Sequence, residues 1–574
     1  MRPWYLGNTT VRNAFRLREG LIALAESNLD GNIRGRENEI RFAIILHQAG
    51  VIEIIRPDAD VSDMGRKWRA ALSQLGFIYP EIPAREAIPQ EDLGRPFTIT
   101  PNGQRLIDSE TVPGMQECFL RSLAAYYIPS ALERRYHFAV FSPLRHTLAI
   151  MLEIERRTGE SRLNFLEMGL FVQLTSSDTP LAEIVDRILA WRAERVASPT
   201  KRRFDQASLD AAAREHGYVA NTFKDYADTN LRYLKATGLV QSKGRGIAIV
   251  PAKHLFVTQL VADIGIPDTD RTSLITLCNG AVLPTDNRDT AIIVLEDLVA
   301  QVNRRGIRYN IAGRHITTAA DIAIIRHEAE DILSRLNEDE YAERQAEEWG
   351  EIIEYMDLLI TPRRRRAGED DELISIPQAE APAYFEWVLW RAFLAIDSLV
   401  NRPYECRRFK IDQDFLPVGT APGGGPDLIF EFEEFVVVVE VTLTESSRQE
   451  AAEGEPVRRH VADLALHHAE NTGKPVYGLF IAKRIDSNTA ETFRIGVWYA
   501  IDDNRMRLDI VPLTLTQFKA VFEAMFRTGN VRVADIRELL DTCCEVRPQL
   551  HAPEWKAEID RTIQNRVGQL IATS

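Results

Sequence analysis

The period of the apolar positions changes along the chain. Phe42-Ala43-Ile44-Ile45-Leu46 is an apolar stretch within a helix. A second helix opens at Asp63 and runs to about Leu75, with Gly76 as its C-cap and Phe77-Ile78 as the next strand. Phe97-Thr98-Ile99-Thr100 reads as a strand, and Pro101-Asn102-Gly103 as a turn into a helix. Helix, strand, loop, strand is the outline of a winged helix. The outline recurs: residues 226–237 read as one helix, Gly238 caps it, Leu239-Val240 starts a strand, Gln241 to Gly246 forms a basic turn, and Ile247 to Val250 returns. That helix carries Asn230, Arg232 and Lys235, and its wing carries Lys243 and Arg245. Such residue types suit base edges and phosphates respectively.

Residues 290–360 read as helical, polar and acidic. Four arginines at 363–366 are followed by Glu369, Asp370, Asp371 and Glu372, the pattern of a solvated linker. Beyond it the order becomes helix, strands, helix, strand, strand, helix. The expected architecture is multidomain: a mainly α N-terminal region with winged-helix modules, a helical linker and a C-terminal α/β domain. The boundaries are placed at 1–120 and 121–290 for the two modules, 291–375 for the linker and 376–574 for the last domain.

Length sharpens this picture, since 574 residues exceed one hydrophobic core and suit two to four domains. At 45% hydrophobic and 27% charged residues the composition is that of a globular protein. No apolar run reaches a membrane span, and the N-terminus lacks the apolar core of a signal peptide. Five scattered cysteines without metal-ligand spacing read as reduced thiols in a cytoplasm. A net charge of −15 argues against nonspecific coating of nucleic acid. It leaves room for a site-specific enzyme, because local basic patches decide binding.

Candidate chemistry concentrates in the last domain. Asp427-Leu428-Ile429-Phe430-Glu431-Phe432 reads as a strand after Gly423-Gly424-Gly425-Pro426. Phe435 to Thr442 is a second strand, continuously apolar up to Glu440 and so buried on both faces. If Glu433 and Glu434 form a two-residue loop, Phe432 pairs with Phe435 and Asp427 stands opposite Glu440. Two carboxylates then share one face roughly 5 Å apart, a conflict that a divalent cation such as Mg²⁺ removes. Thr442 points to the same face. A helix follows, with Pro456 in its first turn beside Glu455. Glu455 is placed to bind a second metal ion or position a water, and His460 to meet the scissile phosphate or transfer a proton. Glu386 is a polar residue on the apolar helix around Phe385 and Trp387, a common place for a metal-site carboxylate.

Each feature has a plainer alternative. A hairpin with acidic ends is often only solvated, His460 alone suits a structural role, and Glu386 alone suits a pair with Arg391. The basic run suits a linker, and the Asn230 helix equally suits a protein-interacting winged helix.

Several strings together resemble one family. Arg2-Pro3-Trp4-Tyr5-Leu6-Gly7-Asn8-Thr9-Thr10-Val11-Arg12-Asn13, Gly65-Arg66-Lys67-Trp68-Arg69-Ala70-Ala71-Leu72, Asp228-Thr229-Asn230-Leu231-Arg232-Tyr233, Phe385-Glu386-Trp387, Pro426-Asp427, Glu440-Val441-Thr442 and Glu455-Pro456-Val457-Arg458-Arg459-His460 are similar, in order, to the AlwI family of type IIS restriction endonucleases. The resemblance implies a PD-(D/E)xK-type cleavage domain, with Thr442 where such nucleases usually place a lysine. It implies Asp427 and Glu440 as metal ligands, Glu455 and His460 completing the site, and Glu386 as an outlying carboxylate. Arg12, Arg66, Lys67 and Arg69 join Asn230, Arg232, Lys235, Lys243 and Arg245 as DNA contacts. The implied partners are duplex DNA, a cognate DNA methyltransferase and, for the second strand, a second catalytic domain from a transient homodimer or partner subunit. The rival readings are a winged-helix regulator with a degenerate nuclease-like domain, and a repair or antiviral nuclease without site specificity.

Overall fold

The computed structural model describes residues 2–11, 13–54, 60–263, 265–362, 366–367, 373–374, 376–396 and 398–572. The chain divides into two compact units, 1–333 and 334–574, a division that falls within the helix Ala319–Glu343. Arg12, Arg363 to Arg365, and Ser375, where a boundary is expected, lie outside the described residues.

The first unit is mostly helical. Its helices include Arg36–Gln48 and Ser62–Gln74, which cover the expected apolar and basic segments. The β element expected at 77–100 is reduced to one bridge, Ile78 with Ile99. Phe97, read as strand, takes a positive φ of 64°, outside the extended range, while its N–H still donates to the Tyr79 carbonyl at 2.8 Å. Thr100 caps the next helix, Pro101–Asp108, by accepting from the Gly103 N–H at 2.9 Å. The second motif is fuller. The helix Ala220–Ala236 is followed by Gly238 at φ +69°, then β2 (Val240–Ser242) and β3 (Gly246–Ile249). With β1 (Leu163–Asn164) they form an antiparallel sheet ordered β1-β3-β2.

The Ala220–Ala236 helix turns Phe223, Ala227, Asn230, Leu231 and Leu234 inward. Asn230 is fully buried. Its side chain accepts from the Leu6 N–H at 2.8 Å and donates to the Trp4 carbonyl and to Gln173, each at 3.4 Å. It thus satisfies the backbone of the N-terminal segment, whose Trp4 is itself buried and donates to the Thr175 carbonyl at 2.8 Å.

The second unit adds a two-residue pair, β4 (Arg366–Ala367) with β5 (Leu373–Ile374), and a four-stranded sheet. β6 (Leu428–Glu431) and β7 (Val436–Thr442) form a hairpin, whose register pairs Leu428 with Val439 and Glu431 with Val436. β8 (Val476–Ala482) and β11 (Asp509–Thr514) lie parallel beyond β7. Between them in sequence, β9 (Val497–Tyr499) and β10 (Arg505–Arg507) make a separate ribbon. The helix Ala381–Ile396 covers one face of the sheet, where Phe393 stacks on Phe430 at 4.2 Å. The 24-residue helix Arg448–Asn471 crosses from β7 to β8 on the other face. Gly478 allows this close approach: a Cβ there would stand 2.8 Å from Val461 and 2.9 Å from Ile510. Covered on both sides, β7 uses four consecutive valines ahead of Glu440.

Candidate active site

The β6–β7 hairpin has the register expected of it. The Phe432 N–H donates to Phe435 across the two-residue break at 2.9 Å, and the ladder carried one step past Leu428 sets Asp427 opposite Glu440. Asp427 is held there by the Val441 N–H, 2.9 Å from its Oδ2, and shares a hydrogen bond with Glu440. Glu440 is 7% exposed at the end of a buried strand. His460, from the crossing helix, places Nδ1 2.6 Å from Glu440 Oε1. With Nδ1 donating, the other ring nitrogen, Nε2, is buried and unpartnered. Glu386 comes from the helix on the opposite face and accepts from the Ala421 N–H at 2.7 Å. It does not pair with Arg391, which closes instead on Gln345, Glu348 and Glu351.

Glu455 lies elsewhere. The crossing helix begins at Arg448, so Pro456 is inside it and not in its first turn. Proline there removes the bond to the Ala452 carbonyl. Ala451 and Ala452 are exposed, so water can serve that carbonyl. Glu455 is exposed and pairs with Arg459 at 3.1 Å. Glu453 turns inward in its place, beside Thr442 and within reach of the Glu440 charge. The signal was present in the sequence, because residues seven apart share a helix face and Glu453 is seven before His460. Gln449, one turn earlier, is fully buried. Its amide donates to the carbonyls of Thr444 at 2.7 Å and Arg484 at 2.9 Å, and its oxygen accepts from the Asp486 N–H at 2.9 Å. The helix start is thereby tied to the loops after both β7 and β8.

Burial dominates the electrostatics. It pushes Asp427 up to about 8, with the Glu440 charge adding to the shift. It pushes Glu386 up to about 9, with the Asp427 charge next in effect. Glu453 is also raised, by burial first. Three carboxyls held above their ordinary range around Glu440 make a site that gains from a cation. Among the described residues no group of three His, Cys, Asp or Glu is disposed to hold a metal ion by protein donors alone. Two facing carboxylates do fit Mg²⁺, which keeps waters and substrate phosphate as its other ligands.

The expected DNA contacts are dispersed in the first unit. Asn230 is consumed by the core, and Arg232 is engaged by Asp228 and the Val11 carbonyl. Lys235 donates to Ser242 at 3.1 Å. Lys243 and Arg245 are exposed on the β2–β3 turn, Lys243 lying 3.6 Å from Glu160. Arg66 and Lys67 are paired with Asp63, and Arg69 with Glu39 at 2.7 Å.

A family model described as AlwI restriction endonuclease matches residues 73–521. The chain belongs to the AlwI restriction endonuclease family. It is thus a type II restriction endonuclease acting on DNA, in a family that generally uses divalent metal ions. No curated protein matches it. Among solved structures it is similar to the small subunit (R.BspD6I2) of the heterodimeric restriction endonuclease R.BspD6I, at 26% identity. That match covers 37% of this chain and 98% of that one, with a TM-score of 0.29. No helix among the described residues is long and apolar enough to cross a membrane.

Proposed function

We propose that this AlwI-family member is a type IIS enzyme, which recognises a short asymmetric duplex sequence and hydrolyses a phosphodiester bond a few bases outside it. The observation that carries the proposal is the facing pair Asp427 and Glu440, joined by Glu453, His460 and Thr442 where a hairpin meets its crossing helix. An antiparallel hairpin, a helix and a parallel strand support reading 376–574 as a PD-(D/E)xK-type domain. The helix Ala220–Ala236 with β2 and β3 supports a winged helix within 121–290. A second module in 1–120 and a linker in 291–375 complete the proposed organisation.

Asp427 and Glu440 would hold Mg²⁺, with Glu453 adjacent. When bound, the ion activates a water and stabilises charge on the phosphate and the leaving oxygen. The Val441 N–H fixes the rotamer of Asp427. His460 Nδ1 orients Glu440 and leaves Nε2 to exchange a proton at the reacting phosphate. Thr442 stands beside Glu453, in the place where a lysine is usual. A methyltransferase of the same specificity, a cytoplasmic setting and a second catalytic domain for the other strand belong to the same proposal.

Plasmid cleavage with Mg²⁺ tests it. Asp427→Ala should slow cutting by at least about 10²-fold, and cutting at the wild-type rate would overturn the site. Run-off sequencing of wild-type ends should give one sequence, one offset and a defined strand, whereas a smear would remove site specificity.

A further inference from the structure

Arg408 stands beside this cluster with none of the roles above. Arg407 bridges Leu428 in antiparallel fashion, so the next step of that register sets Arg408 opposite Asp427, as Asp427 is opposite Glu440. Residues directly opposed project to the same face, so Arg408, Asp427 and Glu440 form one row. Arg407 alternates to the other face, where it closes on Glu338 at 2.7 and 2.8 Å and lies over the Trp390 and Phe409 rings.

Arg391 closes on Glu348 and Glu351, Arg547 on Asp509, and Arg566 on Asp535 and Glu538, whereas Arg458 donates only to the Gly454 and Val497 carbonyls. Arg408 makes no ion pair among the described residues. Its Nη1 donates to the Pro426 carbonyl at 3.3 Å, next to Asp427, and its charge reaches Glu386. A guanidinium has five donors, and one carbonyl occupies one of them. Gly425 is a second, independent sign. A Cβ there would stand 2.4 Å from Nη1 and 2.8 Å from Cζ, so the guanidinium fills the space a side chain at 425 would take.

We propose that Arg408 binds the scissile phosphate and stabilises the negative charge that builds on its nonbridging oxygens, supplying the cation that Thr442 cannot. This rests on the cleavage site proposed above. In the hydrolysis the water oxygen bonds to phosphorus as the bond to the leaving oxygen breaks, and the proton the water gives up balances the one the leaving oxygen takes. Arg408 exchanges none. Its planar fork matches two phosphate oxygens.

The test uses the full-length protein, Mg²⁺ and a duplex bearing the site found by run-off sequencing, under single-turnover conditions. Arg408→Ala should slow strand cleavage by about 10²–10³-fold, with duplex binding and melting temperature near wild type. Guanidinium ion at millimolar levels should restore part of that loss and nothing to Asp427→Ala. A phosphorothioate at one nonbridging position should slow wild type more than Arg408→Ala. Cleavage by Arg408→Ala at the wild-type rate overturns the inference, as does a loss with neither rescue nor an altered phosphorothioate effect. If Arg408→Ala fails to fold, Arg408→Lys carries the test: about tenfold slower cleavage is expected, and wild-type cleavage overturns it. Full activity of Asp427→Ala would instead remove the underlying site.

Discussion

Glu453 and Glu455 sit two residues apart and have opposite surroundings. At about 100° per residue, seven steps return a side chain to the same face and five leave it about 140° away. Glu453→Gln should therefore slow cleavage by about 10²-fold, while Glu455→Gln should cut within about twofold of wild type. Equal effects in a single-turnover assay would refute the assignment. The raised carboxyls give a second prediction, for chelated protein. Asp427 and Glu386 titrate near 8 and 9 when folded, against ordinary values of 3.8 and 4.5. The folded state then binds more protons, so their contribution to stability is complete below about pH 4 and is lost as pH rises through 8 to 9. The melting temperature in chelator should fall from pH 5 to 9, and Mg²⁺ should restore it more at the alkaline end. A flat profile in both would argue against a cation site. Asp427 and Glu440 were legible in the sequence because a two-residue break fixes a hairpin's register. Glu453 is masked in the sequence by Pro456, which suggests a helix start near Glu455, although its spacing from His460 carries the signal.

Pro456 misled because proline commonly marks a first helical turn, yet a solvated carbonyl one turn back lets it sit inside. Asn230 misled differently. It lies on the inward stripe with Phe223, Ala227, Leu231 and Leu234, but an amide looks like a surface group until its partners, two of them more than 220 residues away, are known. β7 was readable because four valines between two covering layers have no polar side to misplace. The contact between β8 and its crossing helix is the element on which the site's geometry depends. Gly478→Ala would drive a methyl against Val461 and Ile510, one residue from His460 along the helix. Overpacking of that kind costs about 1–3 kcal/mol. Thermal unfolding should show that loss, and cleavage should fall further than stability does because His460 moves with Val461. Unchanged melting would show that the helix has room to shift.

For the molecule as a whole, the proposal gives each chain one cleavage site and therefore one strand per encounter. Supercoiled plasmid should pass through an open-circular form before any linear product, and linear product should form faster as enzyme concentration rises. Direct conversion to linear DNA at the lowest concentrations would contradict this. The division into units falls after Leu333, whereas the change of period in the sequence lies near 375. The helices Trp349–Ile360 and Ala381–Ile396 belong to one apolar core, and their association depends on contacts such as Tyr355 against Trp387, at 4.8 Å, that no local pattern encodes.

The clasp of Asn230 on the backbone of Leu6 also bears on synthesis. The two residues are 224 positions apart. At ~5–20 residues per second, a ribosome needs roughly 10–45 s to travel from one to the other. Throughout that interval Trp4 and Leu6 have no amide to receive them, so this segment waits for the Ala220–Ala236 helix before it is enclosed. A nascent chain of this enzyme therefore carries these apolar residues without their final cover until that helix is made, and a pause placed before residue 230 would lengthen their exposure to chaperones and proteases.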